Sequence, residues 1–395
     1  MSGMKGGQGP REESPSPVEF DYEALAAFGR RIRPILYPLT LALLTTFITL
    51  AFGVCAFLGL ENRIPEEGWL AIWNRWDAPH FQDVAQNGYP DQVGPREFLI
   101  AYLPVFPLAI WVVRWIFRDW HLAAFLLSNV CCAAAFVYFF LLNRLEYDRR
   151  TARWAVLFLA TFPTAYFLHA AYSESLFLLC TVAAFYHARR GQWLLCGILG
   201  MLATGTRIPG LAIVPPLTLE YLYQRNFRWR KIRWDFAFLA LIPLGILAYF
   251  FINYHYFGDA LHFLGPQRKV WGAFLRSPFP EASANWYGVW HAKPSERVLQ
   301  YGGPLVAFVI ATGCVLVAPF KLRPCYALYL AFSWVLIFSN NYPVCSPRYL
   351  LPVFPLFMLI ARLCRQHWLR DAVVFMSVMF YALCTLHYVR GWWTF

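Results

Sequence analysis

Asp77 stands in the stretch Arg75-Trp76-Asp77-Ala78-Pro79-His80-Phe81, which continues through Asp83 to Gly88-Tyr89 directly after the first long apolar run. A carboxylate at such a place can take the proton from a hydroxyl nucleophile. A second acid, Glu174, follows Ser173 in a short polar break, and Arg207 and Arg348 each stand at the edge of a further apolar run. Moving a sugar from a lipid phosphate to a hydroxyl needs a base for the hydroxyl proton and cations for the departing phosphate. Asp77 and Glu174 with Arg207 and Arg348 supply both kinds of group. Trp76, Phe81, Tyr89 and Tyr172 add rings that suit a substrate bound at headgroup depth, where an apolar face and a polar edge are both useful.

Each of these residues also has a plainer reading. Asp77 can cap a helix or sit solvated in a loop, and Ser173-Glu174 is an ordinary helix start. His80, three residues after Asp77, would share its face on a helix and tune or position the base; otherwise it makes interfacial hydrogen bonds. Arg207 either contacts a lipid phosphate or snorkels to the interface. A divalent cation held by His169, Asp77 and Glu174 is a further alternative, but the three show no regular ligand spacing, so no metal ligand is assigned.

The elements that position these residues are membrane helices. Of 395 residues, 59% are hydrophobic, 19% aromatic and 14% charged, too little polar material to cover a soluble domain of this size. The net charge of +12 does not indicate nucleic acid. Lys and Arg fall in short clusters between apolar runs, as in Arg225 to Arg233, and report orientation against an anionic leaflet. The ten cysteines are scattered without a CxxC pair, which argues for packing rather than a disulfide framework or zinc.

A span needs roughly 20 apolar residues, and runs of suitable character extend from 36–60 to 371–389. The basic clusters at Arg144 to Arg153, Arg189-Arg190, Arg225 to Arg233, Lys321/Arg323 and Arg362 to Arg370 should be cytoplasmic. That parity holds if 98–117, carrying Pro104 and Pro107, is a re-entrant or interfacial helix. The expectation is an all-α polytopic membrane protein of about eleven transmembrane helices, with its amino terminus cytoplasmic. Residues 1–30 form a disordered cytoplasmic tail, 31–257 a catalytic transmembrane module with a first non-cytoplasmic loop at 61–120, 258–301 a non-cytoplasmic loop, and 302–395 the carboxy-terminal helices. Both acids and both arginines then lie on the non-cytoplasmic face and should converge on one lipid-accessible cavity. Glu97 and Asp83 read as surface charges. A transporter or flippase is the main rival, but it should show ionisable residues near mid-span or paired broken helices.

The strings RWDAPHFQDVAQNGY, FPTAYFLHAAYSESLFLL, WLLCGILGMLATGTRIPGLAIVPPL and SPRYLLPVFPLFMLIA resemble, in this order, the PIG-V family of membrane mannosyltransferases and its bacterial relatives. The resemblance runs from about residue 70 to 360. It implies the C-type glycosyltransferase fold and a polyprenyl- or dolichyl-phosphate sugar donor. It also implies transfer of mannose with inversion to a glycolipid or other hydroxyl acceptor, among membrane lipids, in a bacterial plasma membrane or the endoplasmic reticulum. Asp77 matches the family's essential first-loop acid and Glu174 its second-loop acid, while Arg207 and Arg348 fall in the matching TRIPG and SPRY strings. The family's FFPLYPLL string stands here as Leu103-Pro104-Val105-Phe106-Pro107-Leu108, a departure that leaves acceptor contacts untransferred.

Overall fold

The computed structural model describes residues 35–395 apart from 66–67, 273, 275 and 341–342. The expected amino-terminal tail, and with it the expected side of the amino terminus, lies outside the described residues. Among them the regular elements are helical, and no strand is present.

Five helical segments are long and apolar enough to cross a membrane: α1 (Leu36–Glu61), α4 (Trp120–Glu146), the segment Trp234–Phe257 containing α9 (Leu244–Phe257), the segment Arg297–Lys321 containing α12 (Gly303–Lys321), and α15 (His367–Val389). At about 1.5 Å per residue each exceeds the roughly 30 Å of a hydrocarbon core. Their outer faces are apolar where a soluble protein would be polar: Leu43, Phe47 and Ile48 on α1 and Phe375 and Met379 on α15 are all exposed. The chain is an integral membrane protein.

The remaining α-helices of eight or more described residues are α2 (Ala78–Asn87), α3 (Val105–Phe117), α5 (Arg149–Ala160), α6 (Glu174–Arg189), α7 (Trp193–Thr206), α8 (Val214–Gln224), α10 (Leu264–Trp271), α11 (Pro278–His291), α13 (Pro324–Phe338) and α14 (Pro355–Leu363). The organising element is α4, against which α1, α3, α5 and α6 pack. It buries Ala123, Ala124, Ser128, Cys131, Cys132 and Ala135, small side chains that let its neighbours approach closely. The α7 and α9 backbones meet where Gly205 faces Gly245, and a Cβ on Gly245 would strike the Met201 carbonyl oxygen. None of the ten cysteines is paired, and all but Cys55 are buried, as their scattered placement implied.

The run 98–117, expected to be a re-entrant or interfacial helix, is short, and two further apolar runs, 154–171 and 348–363, each long enough to suggest one crossing, are broken helices. In 98–117, Pro104 is the N-cap of α3 and Pro107 lies in its first turn, where a missing N–H costs nothing. The helix is therefore 13 residues long, too short to span unaided. In 154–171 the helix stops at Ala160, and the chain continues through turns and a 3-10 segment, Ala165–Leu168. In 348–363 a short helix, Ser346–Leu350, ends before Pro352, and α14 starts afresh at Pro355. Irregular backbone at this depth survives when protein satisfies its polar groups. Here Ser128 Oγ donates to the Tyr172 carbonyl at 3.1 Å, Asn129 Nδ2 to His169 O at 3.0 Å, Ser175 Oγ to Leu168 O at 2.7 Å and Thr164 Oγ1 to Pro347 O at 3.1 Å. The expected loop 258–301 is itself helical, holding α10 and α11, and its last residues already belong to the segment Arg297–Lys321.

Candidate active site

Asp77 is placed by a backbone kink. Trp76 adopts a left-handed conformation at φ +56°, a costly one for a bulky residue, and the next residue is the N-cap of α2. The kink is held by Tyr172, whose hydroxyl donates to the Arg75 carbonyl at 2.8 Å and accepts from the Asp77 N–H at 3.2 Å. Tyr172 is fully buried in the 161–173 segment. One phenol from the protein core thus fixes both sides of the turn that carries Asp77.

Asp77 occupies the N-cap position of α2, yet its side chain makes no capping bond. Its Oδ1 accepts from the Tyr102 hydroxyl at 3.1 Å and its Oδ2 lies 2.9 Å from Arg348 Nη2. The plain capping reading of Asp77 fails for that reason. Glu174 opens α6 without a side-chain cap from Ser173; its Oε1 accepts from Arg348 Nε at 2.5 Å and from Arg207 Nη1 at 2.7 Å. Arg207 Nη1 also donates to Ser173 Oγ at 3.1 Å. Asp77, Arg348, Glu174 and Arg207 therefore form one chain of alternating charge, drawn from four places far apart in sequence.

Burial separates the two acids. The Glu174 side chain is 1% exposed and that of Asp77 25%, so of the two it is Asp77 that an incoming hydroxyl can reach. Glu174 Oε2 is buried with no hydrogen-bond partner, a costly condition that a donor from a bound substrate would relieve. Arg348 is stacked among rings, its guanidinium carbon 4.9 Å from the Phe167 centroid and 4.8 Å from that of Tyr172. Arg207 faces Tyr349 at 5.5 Å.

The other predicted residues take different roles. His80 does not meet Glu174; it packs edge-on against Phe98 at 4.9 Å and beside Tyr102 at 5.6 Å. Burial pushes its imidazole below its ordinary pKa, against the opposing pull of Asp77 and Asp83. Phe81 is buried against Tyr102, Phe106 and Tyr172, beneath the site rather than lining it. Tyr89 donates to the Tyr102 carbonyl at 2.6 Å, and Trp76 is exposed. His169 stays apart from both acids, its Nδ1 lying 3.1 Å from Asn129 Oδ1 and 3.1 Å from Thr46 Oγ1. Among the described residues no group of three or more His, Cys, Asp and Glu is arranged for a metal, so the His169, Asp77 and Glu174 trio is not a cation site.

Tyr102, Tyr349 and Ser173 belong to the site and were missed by the residue-type search, which weighed ionisable groups first. The region 258–301 was missed as well. Trp271 at the end of α10 stands 6.2 Å from the Tyr102 ring and 6.3 Å from Phe98, and His262 Nε2 pairs with Glu97 Oε1 at 3.0 Å. Glu97 is thus a partly buried tie to the site's roof, not a surface charge; Asp83 is the partner of exposed Arg96. Beside Arg207 there is a crevice of about 20 Å³ lined by Phe177, Tyr329, Tyr349 and Pro352 among others, room for about one water.

Among known proteins, GPI alpha-1,6-mannosyltransferase 2 of Cricetulus griseus is 32% identical over 161 residues, covering 38% of this chain and 31% of that protein. The Homo sapiens protein of the same name is 32% identical over 159 residues, again 38% and 31%, and that of Mus musculus is 34% identical over 161 residues, 37% and 31%. The chain thus spans about a third of the length of the relatives it matches. Among solved structures, ArnT from Cupriavidus metallidurans bound to undecaprenyl phosphate superposes with a TM-score of 0.44 at 15% identity, covering 91% of this chain and 78% of that one. The oligosaccharyltransferase of Archaeoglobus fulgidus tethered to an acceptor peptide gives 0.44 at 13% identity, covering 89% and 55%. A family model described as mannosyltransferase (PIG-V) matches residues 49–258, a stretch that holds Asp77, Glu174 and Arg207, and the chain belongs to that family.

Proposed function

We propose that this protein is a membrane glycosyltransferase that moves a sugar, mannose by family, from a polyprenyl-phosphate carrier to the hydroxyl of a glycolipid or other acceptor at the non-cytoplasmic face. The observation that carries the reading is the run Asp77–Arg348–Glu174–Arg207. It unites a reachable carboxylate with two cations and a buried counter-acid in a chain with several membrane-length helices.

In the proposed reaction the acceptor oxygen attacks C1 of the sugar as the bond from C1 to the phosphate oxygen breaks. Asp77 takes the hydroxyl proton, and polyprenyl phosphate leaves with the electron pair. Attack from the face opposite the phosphate inverts C1. In the resting arrangement Arg348 neutralises Asp77, and a phosphodiester drawn to Arg348 and Arg207 would compete with that pairing. Donor binding would in this way free the base at the moment it is needed, while Glu174 retains the two guanidiniums and its unpartnered Oε2 accepts from a sugar hydroxyl. The division into a catalytic module at 31–257 and the helices of 302–395 is part of the same proposal, with Arg348 contributed by the second part.

The test is transfer from labelled polyprenyl-phosphate mannose to membrane lipid extract by the purified protein. The wild type should yield a labelled product and Asp77→Asn, nearly isosteric but not basic, none above background while still retaining the donor. Near-normal turnover by Asp77→Asn would falsify the assignment of the base. Wild-type protein that retains the donor but labels no fraction of the extract would remove the transferase reading.

A further inference from the structure

At the far end of α4 lies a second site with different chemistry. Ser128 of α4 touches the Tyr172 segment, and Tyr147 follows the end of the same helix, about 28 Å along its axis at 1.5 Å per residue. There the turn between α4 and α5 meets the start of α15 around an open pocket of about 400 Å³. Arg150, Arg362, Arg365 and Arg370 line it, with the rings of Tyr147 and Trp154 as walls.

Four arginines in one concavity repel one another unless something anionic is present. The protein supplies little. Asp148 Oδ1 accepts from the Thr151 N–H at 2.8 Å, capping α5, and Asp371 is 66% exposed and 3.5 Å from Arg370 Nε. Arg370 is itself buried, stacked 3.9 Å from the Trp154 ring, and beyond that long ion pair to exposed Asp371 its Nε makes no hydrogen bond. His367 stands between two guanidiniums, its Nδ1 2.8 Å from Arg370 Nη2 and its Nε2 3.4 Å from Arg150 Nη2. A neutral imidazole can accept at one nitrogen alone, so one of these two donors is left facing an N–H.

We propose that this pocket binds the phosphate of an anionic phospholipid headgroup. A phosphate oxygen matches what the site lacks: acceptors for the planar forks of Arg150 and Arg365 and for the buried Nε of Arg370. A lipid is favoured over a soluble phosphate because exposed apolar side chains flank the lining residues, Leu363 between Arg362 and Cys364 and Trp368 between Arg365 and Arg370. From Trp368 the exposed side chains of Phe375 and Met379 continue along α15 at i, i+7 and i+11, one face of the helix. Acyl chains would lie along that stripe with the headgroup at the arginines.

The experiment uses the full chain in nanodiscs or in detergent with defined lipid, read by native mass spectrometry of retained lipid. Wild-type protein offered equal phosphatidylglycerol and phosphatidylcholine of the same acyl chains should retain phosphatidylglycerol selectively. Equal retention overturns the proposal without any variant. Arg150→Gln with Arg365→Gln, both exposed and so tolerable to the fold, should lower that retention roughly tenfold. A control, Arg228→Gln with Lys231→Gln in a basic turn outside the pocket, should leave it unchanged; an equal fall in the control means that general surface charge is responsible and also overturns the site. Inorganic phosphate at millimolar concentration should not displace the lipid, and displacement would overturn the lipid source in favour of a soluble anion.

Discussion

Arg348 reaches Asp77 Oδ2 with Nη2 at 2.9 Å while its Nε holds Glu174 Oε1 at 2.5 Å. One guanidinium from the carboxy-terminal part thus pairs with two acids of the amino-terminal part, with Arg207 supplying the second positive charge, and the site exists only when both parts are folded together.

Arg348→Gln should therefore damage stability as well as transfer. It leaves Glu174 fully buried with Arg207 as its remaining partner, and breaking a buried pair costs about 3–5 kcal/mol. A marked fall in melting temperature in detergent is expected, with Arg348→Lys intermediate because an ammonium cannot bridge two carboxylates in the same geometry. An unshifted melting curve for Arg348→Gln would contradict the pairing.

Tyr102→Phe removes the hydroxyl that donates to Asp77 Oδ1 at 3.1 Å and keeps the ring that packs on Phe81 and His80. Loss of one such bond, about 1–1.5 kcal/mol, corresponds to a kcat lower by roughly tenfold. KM for the donor should stay near the wild-type value. Donor affinity falling in step with kcat would mean that Tyr102 binds substrate instead of holding the base.

Tyr172→Phe deletes both bonds across the kink at Trp76. A left-handed bulky residue carries about 1–3 kcal/mol of strain, which then relaxes. Limited proteolysis should cut the variant near Arg75 faster than the wild type, while far-ultraviolet circular dichroism stays unchanged. Equal cleavage rates would show that the turn is held by other means.

His80 gives a pH dependence of defined sign. Its folded pKa lies below the ordinary 6.5 because of burial, so the unfolded chain binds the proton first on acidification. The stability associated with neutral His80 is complete above pH 6.5 and is lost as pH falls from there through the folded value. Melting temperature measured from about pH 7.5 down to about 5.5 should fall more for the wild type than for His80→Gln. Parallel curves would show that His80 stays accessible to protons in the folded protein.

The helical class and the charged residues of the candidate site were legible because they depend on residue type. Apolar runs mark helices, and Asp77, Glu174, Arg207 and Arg348 are conspicuous in a chain that is only 14% charged. Their convergence was expected, but their engagement with one another was not: sequence presents Arg207 and Arg348 as phosphate ligands, whereas Glu174 already holds both. Tyr102 escaped notice since a tyrosine beside an apolar run has no distinguishing pattern, and its partner is 25 residues away. The breaks at 161–173 and around Pro352 were hidden for a different reason. Hydropathy responds to burial, and backbone satisfied by Ser128, Asn129 and Ser175 is as buried as a helix.

The clasp made by Tyr172 has a consequence for how the proposed transferase can diversify. The turn bearing Asp77 is anchored from the core at residues 75 and 77 and its carboxylate is held by Tyr102 and Arg348, so none of these contacts comes from the outer stretch Asp91 to Arg96. The exposed stretch from Asp91 to Arg96 can therefore change in length or composition and meet new acceptors while the proton-accepting atom stays where it is. Under the proposed function, the position of the base and the choice of acceptor are separately adjustable, and a graft of that outer stretch between relatives should exchange preference without abolishing turnover.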